Sequence, residues 1–448
     1  MFDTILIANR GEIAARIIRT CKEMDIRTIA VYSEADAGAP HVEAADEAVE
    51  IGPAHVTKSY LDQDAVIDAA VEHDAEAIHP GYGLMSENPE FVRAVEDAGL
   101  TFIGPRPEVM ELMGNKSEAR EFADNAGCPV VPGSDGPVDS KEEARKVAEE
   151  LGYPVLVKAS AGGGGIGMNL AESEEKLEKA IDTSVRRAES AFGDPTFYIE
   201  KYIENPRHVE IQVLADNDGH SIHLFERECS VQRRHQKVIE EAPSPATDTF
   251  EGLREEMGQA ALNLVDAAEY TNAGTVEFIL SPDGSFYFIE MNTRLQVEHP
   301  CTEMITGEDL VEWQIRIAAG ESLQIEQDDL AIDGHSIECR IYAENPDKRF
   351  MPAPGKIGDY VEPEGEGIRV DSGVVAGFKV TPYYDPLVAK VVTHGADRDE
   401  AIERMKTALG DFTIEELTTN IPMHLAVLDH EDFRASNLHT SWLEDEYL

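Results

Sequence analysis

The chain has 448 residues, with 88 Asp plus Glu against 38 Lys plus Arg, a formal charge of −50. That balance excludes a general nucleic-acid binder and a partner for anionic membranes, since both need a basic footprint. A hydrophobic content of 42% is enough for packed cores and excludes a disordered chain, and at about 150 residues per domain the length suggests roughly three domains. Met1 to Arg10 has no basic stretch followed by a long apolar one, so no secretory signal is expected. No uncharged run approaches the ~20 residues of a membrane helix. The cysteines (Cys21, Cys128, Cys229, Cys301, Cys339) are odd in number and form no C-x-x-C pair, which argues against a disulfide framework or zinc site. The expectation is a reduced, cytoplasmic protein.

In chain order, Thr4 to Ala8, Thr28 to Tyr32, Ala48 to Ile51, Ala77 to His79 and Thr101 to Ile103 read as strands. Glu12 to Met24 and Leu61 to Glu72 carry helical periodicity between them. Such alternation predicts a mostly parallel, helix-covered sheet. The Asn9-Arg10-Gly11-Glu12 turn is not a G-x-G-x-x-G, so a dinucleotide site is weakly supported. A second region begins near Met113-Gly114-Asn115-Lys116. Its loop from Pro129 to Pro137 leads to a helix over Lys141 to Leu151 and a buried strand, Val155-Leu156-Val157-Lys158. Gly162 to Gly165 follow at once. Glycines after a strand-end lysine can wrap a phosphate, although the spacing is not that of a Walker loop.

The stretch from Glu226 to Lys237 concentrates Arg233, Arg234, His235 and Lys237 in an acidic protein, pointing to a local anion site. Val276 to Leu280 and Phe286 to Met291 predict a hairpin, and a two-residue Asp283-Gly284 turn places Glu277 opposite Glu290. Like charges across a hairpin repel. Two carboxylates aimed at one point are best explained by a hard cation, and Asn292 adds an oxygen that suits Mg²⁺ or Mn²⁺. Continued at period two, the strand puts Glu290, Asn292, Arg294, Gln296 and Glu298 on one side. A third region starts near Gly334, with strands around Ser336 to Tyr342 and Pro386 to Val392.

These motifs resemble the biotin carboxylases, the ATP-grasp component of biotin-dependent carboxylases. The matching segments are Ile7 to Ala14, His79-Pro80-Gly81-Tyr82-Gly83, Lys158 with its glycine run, Glu200-Lys201-Tyr202-Ile203, Gln232 to Lys237, Glu290 to His299, and Glu338-Cys339-Arg340-Ile341. The resemblance covers essentially the whole chain. It implies a mixed α/β and α+β chain with an ATP-grasp fold. A Rossmann-like domain would span 1–113, an ATP-grasp domain 114–330 with a glycine-rich lid at about 131–203, and a mixed α+β domain 331–448.

By the same resemblance, Lys116 and Lys158 grip ATP phosphates beneath Gly164 and Gly165. Glu200, Lys201 and Ile203 line the adenine pocket, and His208, Gln232 and His235 complete the nucleotide site. Glu277, Glu290 and Asn292 hold two Mg²⁺ or Mn²⁺ ions. Lys237, Arg294, Gln296 and the Val297 backbone hold bicarbonate, Glu298 is the base, and Arg340 faces the biotin ureido oxygen with Tyr82 nearby. The implied reaction is ATP-dependent carboxylation of biotin through carboxyphosphate, the first half-reaction of an acyl-CoA carboxylase of the acetyl-CoA or propionyl-CoA type. Implied partners are a biotin carboxyl carrier protein or domain, a carboxyltransferase and a second copy of the chain.

Two departures stand out. Ile166 sits between glycines where the family usually has a basic residue, and Asn169 also stands where one is common. The loss of charge would weaken lid closure or triphosphate affinity unless that side chain points outward. The family's Met-Lys-Met biotinylation motif is missing, and Arg404-Met405-Lys406-Thr407 does not supply it. The carrier is therefore expected in trans or in domains beyond this chain. Another ATP-grasp ligase acting through an acyl phosphate is the competing activity, opposed by His79 to Gly83 and Arg340. A weakly catalytic ATP-binding scaffold has Ile166 as its only support. The cations Lys116, Lys158, Lys237, Arg294 and Arg340 are expected to gather in the site, leaving −50 to the outer surface as an adaptation to high salt.

Overall fold

A computed structural model of the chain describes residues 1–134, 136–138, 140–159, 168–192 and 196–447. Gly164, Gly165 and Ile166 lie outside the described residues. Two compact units emerge: residues 1–128 with 207–280 and 289–448, and residues 129–206 with 281–288.

In the first unit, the alternating apolar runs form strands β1 (Thr4–Ile7), β2 (Arg27–Ser33), β3 (Glu47–Gly52), β4 (Ala77–His79) and β5 (Thr101–Phe102). They make a parallel sheet in the order β3-β2-β1-β4-β5. The strand order reverses at β1, and the end of such a strand is where open α/β sheets place their sites. Asn9, just past β1, donates its amide to the carbonyls of Pro80 (2.6 Å) and Tyr82 (2.8 Å), locking the two turns together. Arg10 is committed to Asp36 through two bonds of 2.6 and 2.8 Å.

The second unit holds the antiparallel strands β6 (Val155–Ala159), β7 (Asn169–Ala171) and β8 (Phe197–Lys201) in the order β7-β6-β8. Helices Lys141–Leu151 and Glu174–Phe192 cover this sheet, and Ala144, Ala148, Leu177 and Ile181 pack with Val155, Val157 and Ile199.

The largest sheet runs through β9 (Arg207–Ala215), β10 (Ser221–Arg233), β11 (Gln236–Ala242), β12 (Asn272–Leu280), β13 (Phe286–Asn292) and β14 (His335–Tyr342), together with Ile368–Ser372 and Leu387–Gly395. Its order is β13-β12-β9-β10-β11-β14, then Leu387–Gly395 and Ile368–Ser372. Pairing of β11 with β14, Ile239 opposite Cys339, carries one sheet across the boundary drawn at 330/331. The alternation in His335–Tyr342 sorts its residues onto two faces. Ile337, Cys339 and Ile341 join an apolar core with Ile239, Val391 and the helix Arg398–Asp411. Glu338 and Arg340 point to the opposite face, against the helix His299–Thr306.

Two local expectations are corrected. The hairpin loop has three residues, because Ser281 N–H donates to Ser285 O (2.7 Å) and Gly284 N–H to Ser281 O (3.0 Å). Gly284 takes φ +89°, the left-handed residue of a bulged three-residue turn. The strand also stops at Asn292, and residues 293–298 bend into the helix whose N-cap is Glu298.

Among the described residues no helix is long and apolar enough to cross a membrane. All five cysteines are free and buried. Burial pushes the Cys21 and Cys128 thiols up to about 12, and those of Cys229, Cys301 and Cys339 well above their usual range. The thiolate is the nucleophile. The native protein should therefore resist iodoacetamide at pH 7.5, while mass spectrometry of the denatured chain should count five adducts.

Candidate active site

The site grows from the polar face of the large sheet. In Arg207–Ala215, His208, Glu210 and Gln212 alternate with Val209, Ile211 and Val213, and Glu210, Gln212 and the three apolar residues are all buried. Register places Glu210 between Glu277 on β12 and Arg227 on β10. Arg227 is fully enclosed. Its guanidinium donates to Glu210 (2.6 Å), Gln212 (2.9 Å), Thr302 (2.8 Å) and Thr275 (3.2 Å). Lys237, at the start of β11, donates from Nζ to Glu210 (2.5 Å), Glu277 (2.9 Å) and Glu298 (2.8 Å). Burial alone would lower the Lys237 pKa, but the three carboxylates outweigh it and hold the ammonium charged.

The bent segment after β13 closes around this ammonium. Asn292 and Gln296 both donate to Glu277 Oε1, at 2.8 and 3.0 Å. Arg294 donates to Asn292 Oδ1 (2.7 Å), Gln296 Oε1 (2.9 Å) and Glu87 (3.0 Å). Glu298 is fully buried, bonded through one oxygen to Lys237 and through the other to Arg340 at 2.9 Å. Burial pushes the Glu298 carboxyl up, yet Lys237, Arg340 and Arg227 together hold it well below the usual carboxylate range. Glu277 is likewise held low against its burial, by Lys237 and by His208, whose Nε2 lies 3.1 Å away. The Val297 carbonyl accepts from Lys390 at 2.8 Å. Lys390 in turn lies 3.2 Å from Glu12, whose other oxygen accepts from the Tyr82 hydroxyl.

The structure thus brings together His208, Lys237, Glu277, Asn292, Arg294, Gln296, Val297, Glu298 and Arg340, and Tyr82 joins them through Glu12 and Lys390. Glu290 is half exposed and pairs with Lys116 at 3.1 Å. The basic stretch does not form one anion site: Arg233 is buried against Glu344 and over the Phe350 ring, and Arg234 and His235 form the turn between β10 and β11. Gln232 donates to the Cys229 carbonyl at 3.3 Å. In the second unit Lys158 pairs with Glu200, Lys201 donates to Gly152 O at 2.8 Å, and Ile203 is half-buried. Glu210, Arg227, Glu240, Glu87 and Lys390 were not singled out from sequence. The signal for the first three lay in polar residues at alternate positions of strands whose other face is apolar.

The donor set fits a hard divalent cation. Glu277 and Glu290 are oxygen donors, and each already has an ammonium as its partner, from Lys237 and Lys116. Asn292 adds a carboxamide oxygen, and zinc's preferred sulfur and nitrogen ligands do not dominate the set.

Family models match three consecutive stretches of the chain: biotin carboxylase, N-terminal domain, over 1–110; carbamoyl-phosphate synthase L chain, ATP binding domain, over 115–326; and biotin carboxylase C-terminal domain over 338–445. A biotin carboxylase of Halalkalibacterium halodurans is 54% identical over 443 residues, covering 99% of this chain and 97% of that protein. A pyruvate carboxylase subunit of Methanothermobacter thermautotrophicus is 53% identical over 447 residues, covering 100% of this chain and 90% of its own. Among solved structures, the biotin carboxylase domain dimer of Hydrogenobacter thermophilus 2-oxoglutarate carboxylase, with MgADP, ADP and bicarbonate, superposes with a TM-score of 0.89 at 48% identity. That match covers 99% of this chain and 98% of the other.

Burial of Glu12 gives a pH signature. Burial pushes its carboxyl up to about 7, with Lys390 opposing less strongly. An unfolded glutamate titrates near ~4.3, so the folded state holds the proton more tightly. The stability contributed by protonated Glu12 is complete below ~4.3 and is lost as pH rises through the folded value. Glu12→Gln, a permanently neutral isostere, should have a higher Tm than the parent at pH 8 and an equal one at pH 4. Equal Tm values at both pH values would contradict the assignment.

Proposed function

Because the chain belongs to the biotin carboxylase family, we propose that it carboxylates biotin on a carrier protein or domain, using bicarbonate and ATP and releasing ADP and phosphate. The observation that carries this reading is Glu298, a fully buried carboxylate held ionised between Lys237 and Arg340. A base of this kind must be ionised and within hydrogen-bond reach of the proton it takes.

Lys237, Arg294, Gln296 and the Val297 backbone hold bicarbonate, a planar anion matched by a guanidinium fork and an ammonium. Glu298 takes the bicarbonate proton, and the freed oxyanion attacks the γ-phosphorus of ATP with ADP as the leaving group. Carboxyphosphate then breaks into CO₂ and phosphate, and the phosphate removes the N1′ proton of biotin. Arg340, with Tyr82 nearby, faces the oxygen on which the resulting enolate charge resides. Lys116, Lys158, Glu200, Lys201, Ile203, His208, Gln232 and His235 bind the nucleotide, under a lid that includes Gly164 and Gly165. Glu277, Glu290 and Asn292 would hold two Mg²⁺ or Mn²⁺ ions, which supply charge neutralisation on the phosphates when bound.

The wider assignments rest on the same family membership. The working assembly is a homodimer that meets a biotin carrier and passes carboxybiotin to a carboxyltransferase. Three domains, 1–113, 114–330 and 331–448, divide the labour. We read the complex as an acyl-CoA carboxylase; the name of the Methanothermobacter relative makes a pyruvate-carboxylating complex the alternative. The net charge of −50 supports a protein that works at high salt.

Phosphate release from ATP and Mg²⁺ should rise when bicarbonate and free biotin are added together, and release indifferent to both would sink the reading. Glu298→Gln should lower biotin-dependent turnover by about 10²–10⁴-fold while leaving ATP binding by calorimetry unchanged; normal turnover would remove Glu298 as the base. Stability and activity should increase towards molar KCl. Activity lost above about 0.2 M, where the Debye length is already under ~8 Å, would refute the high-salt assignment.

A further inference from the structure

Arg340 is held from two sides. Its NH2 donates to Glu298 at 2.9 Å, and its Nε lies 2.7 Å from an oxygen of Glu240. Only the Glu298 side has a part in the reaction as read above. Glu240 sits on β11 with Glu338 of β14 as its cross-strand partner, and Glu338 is two residues before Arg340 on the same face. Glu240, Glu298 and Glu338 are fully buried and Arg340 nearly so. Among the described residues, no donor makes a hydrogen bond to either oxygen of Glu240 or Glu338. Three carboxylates thus crowd one guanidinium, where an apolar pair at 240 and 338 would pack the sheet at far lower electrostatic cost.

We propose that Glu240 is a positioning residue, holding the Arg340 guanidinium on the β11–β14 face while Glu298 carries the proton taken from bicarbonate. The inference rests on the biotin carboxylase reading. In that reaction Glu298 becomes neutral before Arg340 is needed, so the charge attraction between them lapses midway. A guanidinium with a single anchor would then be free to turn. The second anchor, at Nε, does not take part in the proton transfer and keeps the fork aimed at the substrate oxygen. Glu338 makes this second anchor compatible with burial. Its carboxyl is pushed well above the usual range by burial, and Lys390 and Arg340 only partly oppose this, which favours its neutral form. Glu240 is raised by burial to about 7 with Arg340 opposing, and of the two it is the one in contact with a cation.

The test separates two half-steps in the full-length protein. Glu240→Gln should keep bicarbonate-dependent ATP cleavage measured without biotin, which uses Glu298, and keep the KM for ATP. It should lower the kcat of free-biotin-stimulated phosphate release on the order of 10²-fold, the scale of a misplaced catalytic group. Glu338 makes no ion pair with Arg340 among the described residues, and Glu338→Gln should keep both rates. Equal loss of both rates in Glu240→Gln, or loss of neither, overturns the proposal. If that variant does not fold, Glu240→Asp keeps the carboxyl but withdraws it by one methylene; it should lower only the biotin-stimulated rate, and a parallel fall in both rates overturns the proposal equally. A parent protein with no biotin stimulation would instead refute the family activity on which the comparison rests.

Discussion

A single ammonium, that of Lys237, sits where three carboxylates from three other parts of the chain meet. Any one of Glu210, Glu277 and Glu298 buried without a cation would be strongly destabilising. Lys237, Arg227 and Arg340 make their burial possible, and the arrangement in turn demands an exact strand register. Glu277 must lie beside Glu210 and Glu210 beside Arg227, as the pairing of β12, β9 and β10 provides. A slip of one residue would turn every one of these groups into the apolar layer. The polar network therefore fixes the sheet as firmly as the apolar face does. Glu298 enters from outside the sheet, at the head of the helix His299–Thr306, where the helix's own partial charge also favours an anion.

The cationic residues take on a different meaning in three dimensions. In sequence they look like a basic cluster against an acidic background. In the structure each has its own carboxylate: Lys116 has Glu290, Arg294 has Glu87, Arg340 has Glu240 and Glu298, and Lys158 in the second unit has Glu200. No local excess of positive charge stands waiting for an anion among these described residues. An anion binding to these cations would have to take over hydrogen bonds now made to their present partners, so binding would be an exchange of partners. Arg294 is the clearest case, with its donors divided among Asn292, Gln296 and Glu87. Divalent ions on Glu277 and Glu290 would compete with Lys237 and Lys116 for the same oxygens, tying metal occupancy to the availability of both ammonium groups.

The parallel sheet and its helices were legible because a period-two or 3.6-residue pattern states burial directly. The identities of Asn292, Arg294, Gln296 and Glu298 were legible too, although continued alternation is the wrong reason for their convergence. They meet through a bend after Asn292, not on a continued strand. The Asp283-Gly284 signal was genuine, but Pro282 belongs to the loop as well, so the turn has three residues where the dipeptide alone suggested two. Glu210, Glu240 and Lys390 were passed over for a different reason. A charged residue on an alternating strand usually faces water, and the helix His299–Thr306, packed over β10, β11, β14 and Leu387–Gly395, helps make this face interior. That is a tertiary fact, absent from any local window.

The C-terminal segment shows why the site is not the property of one stretch of sequence. Arg340 and Lys390 are direct cross-strand partners, and Asp371 pairs with Lys390 from the next strand. Lys390 reaches the Val297 carbonyl and Glu12 together, so it connects the bent segment before Glu298 with the first helix of the parallel sheet. Tyr82, fixed by Asn9 at the point where that sheet reverses order, closes the chain of contacts through Glu12. With the C-terminal strands removed, β11 would lose one of its two neighbours and Glu298 the guanidinium of Arg340. Glu12 would be left buried with no ammonium. The backbone orientation at Val297 and the charge state of Glu298 are therefore set by residues far away in the chain on either side, which is the physical reason these three regions form one sheet-linked unit.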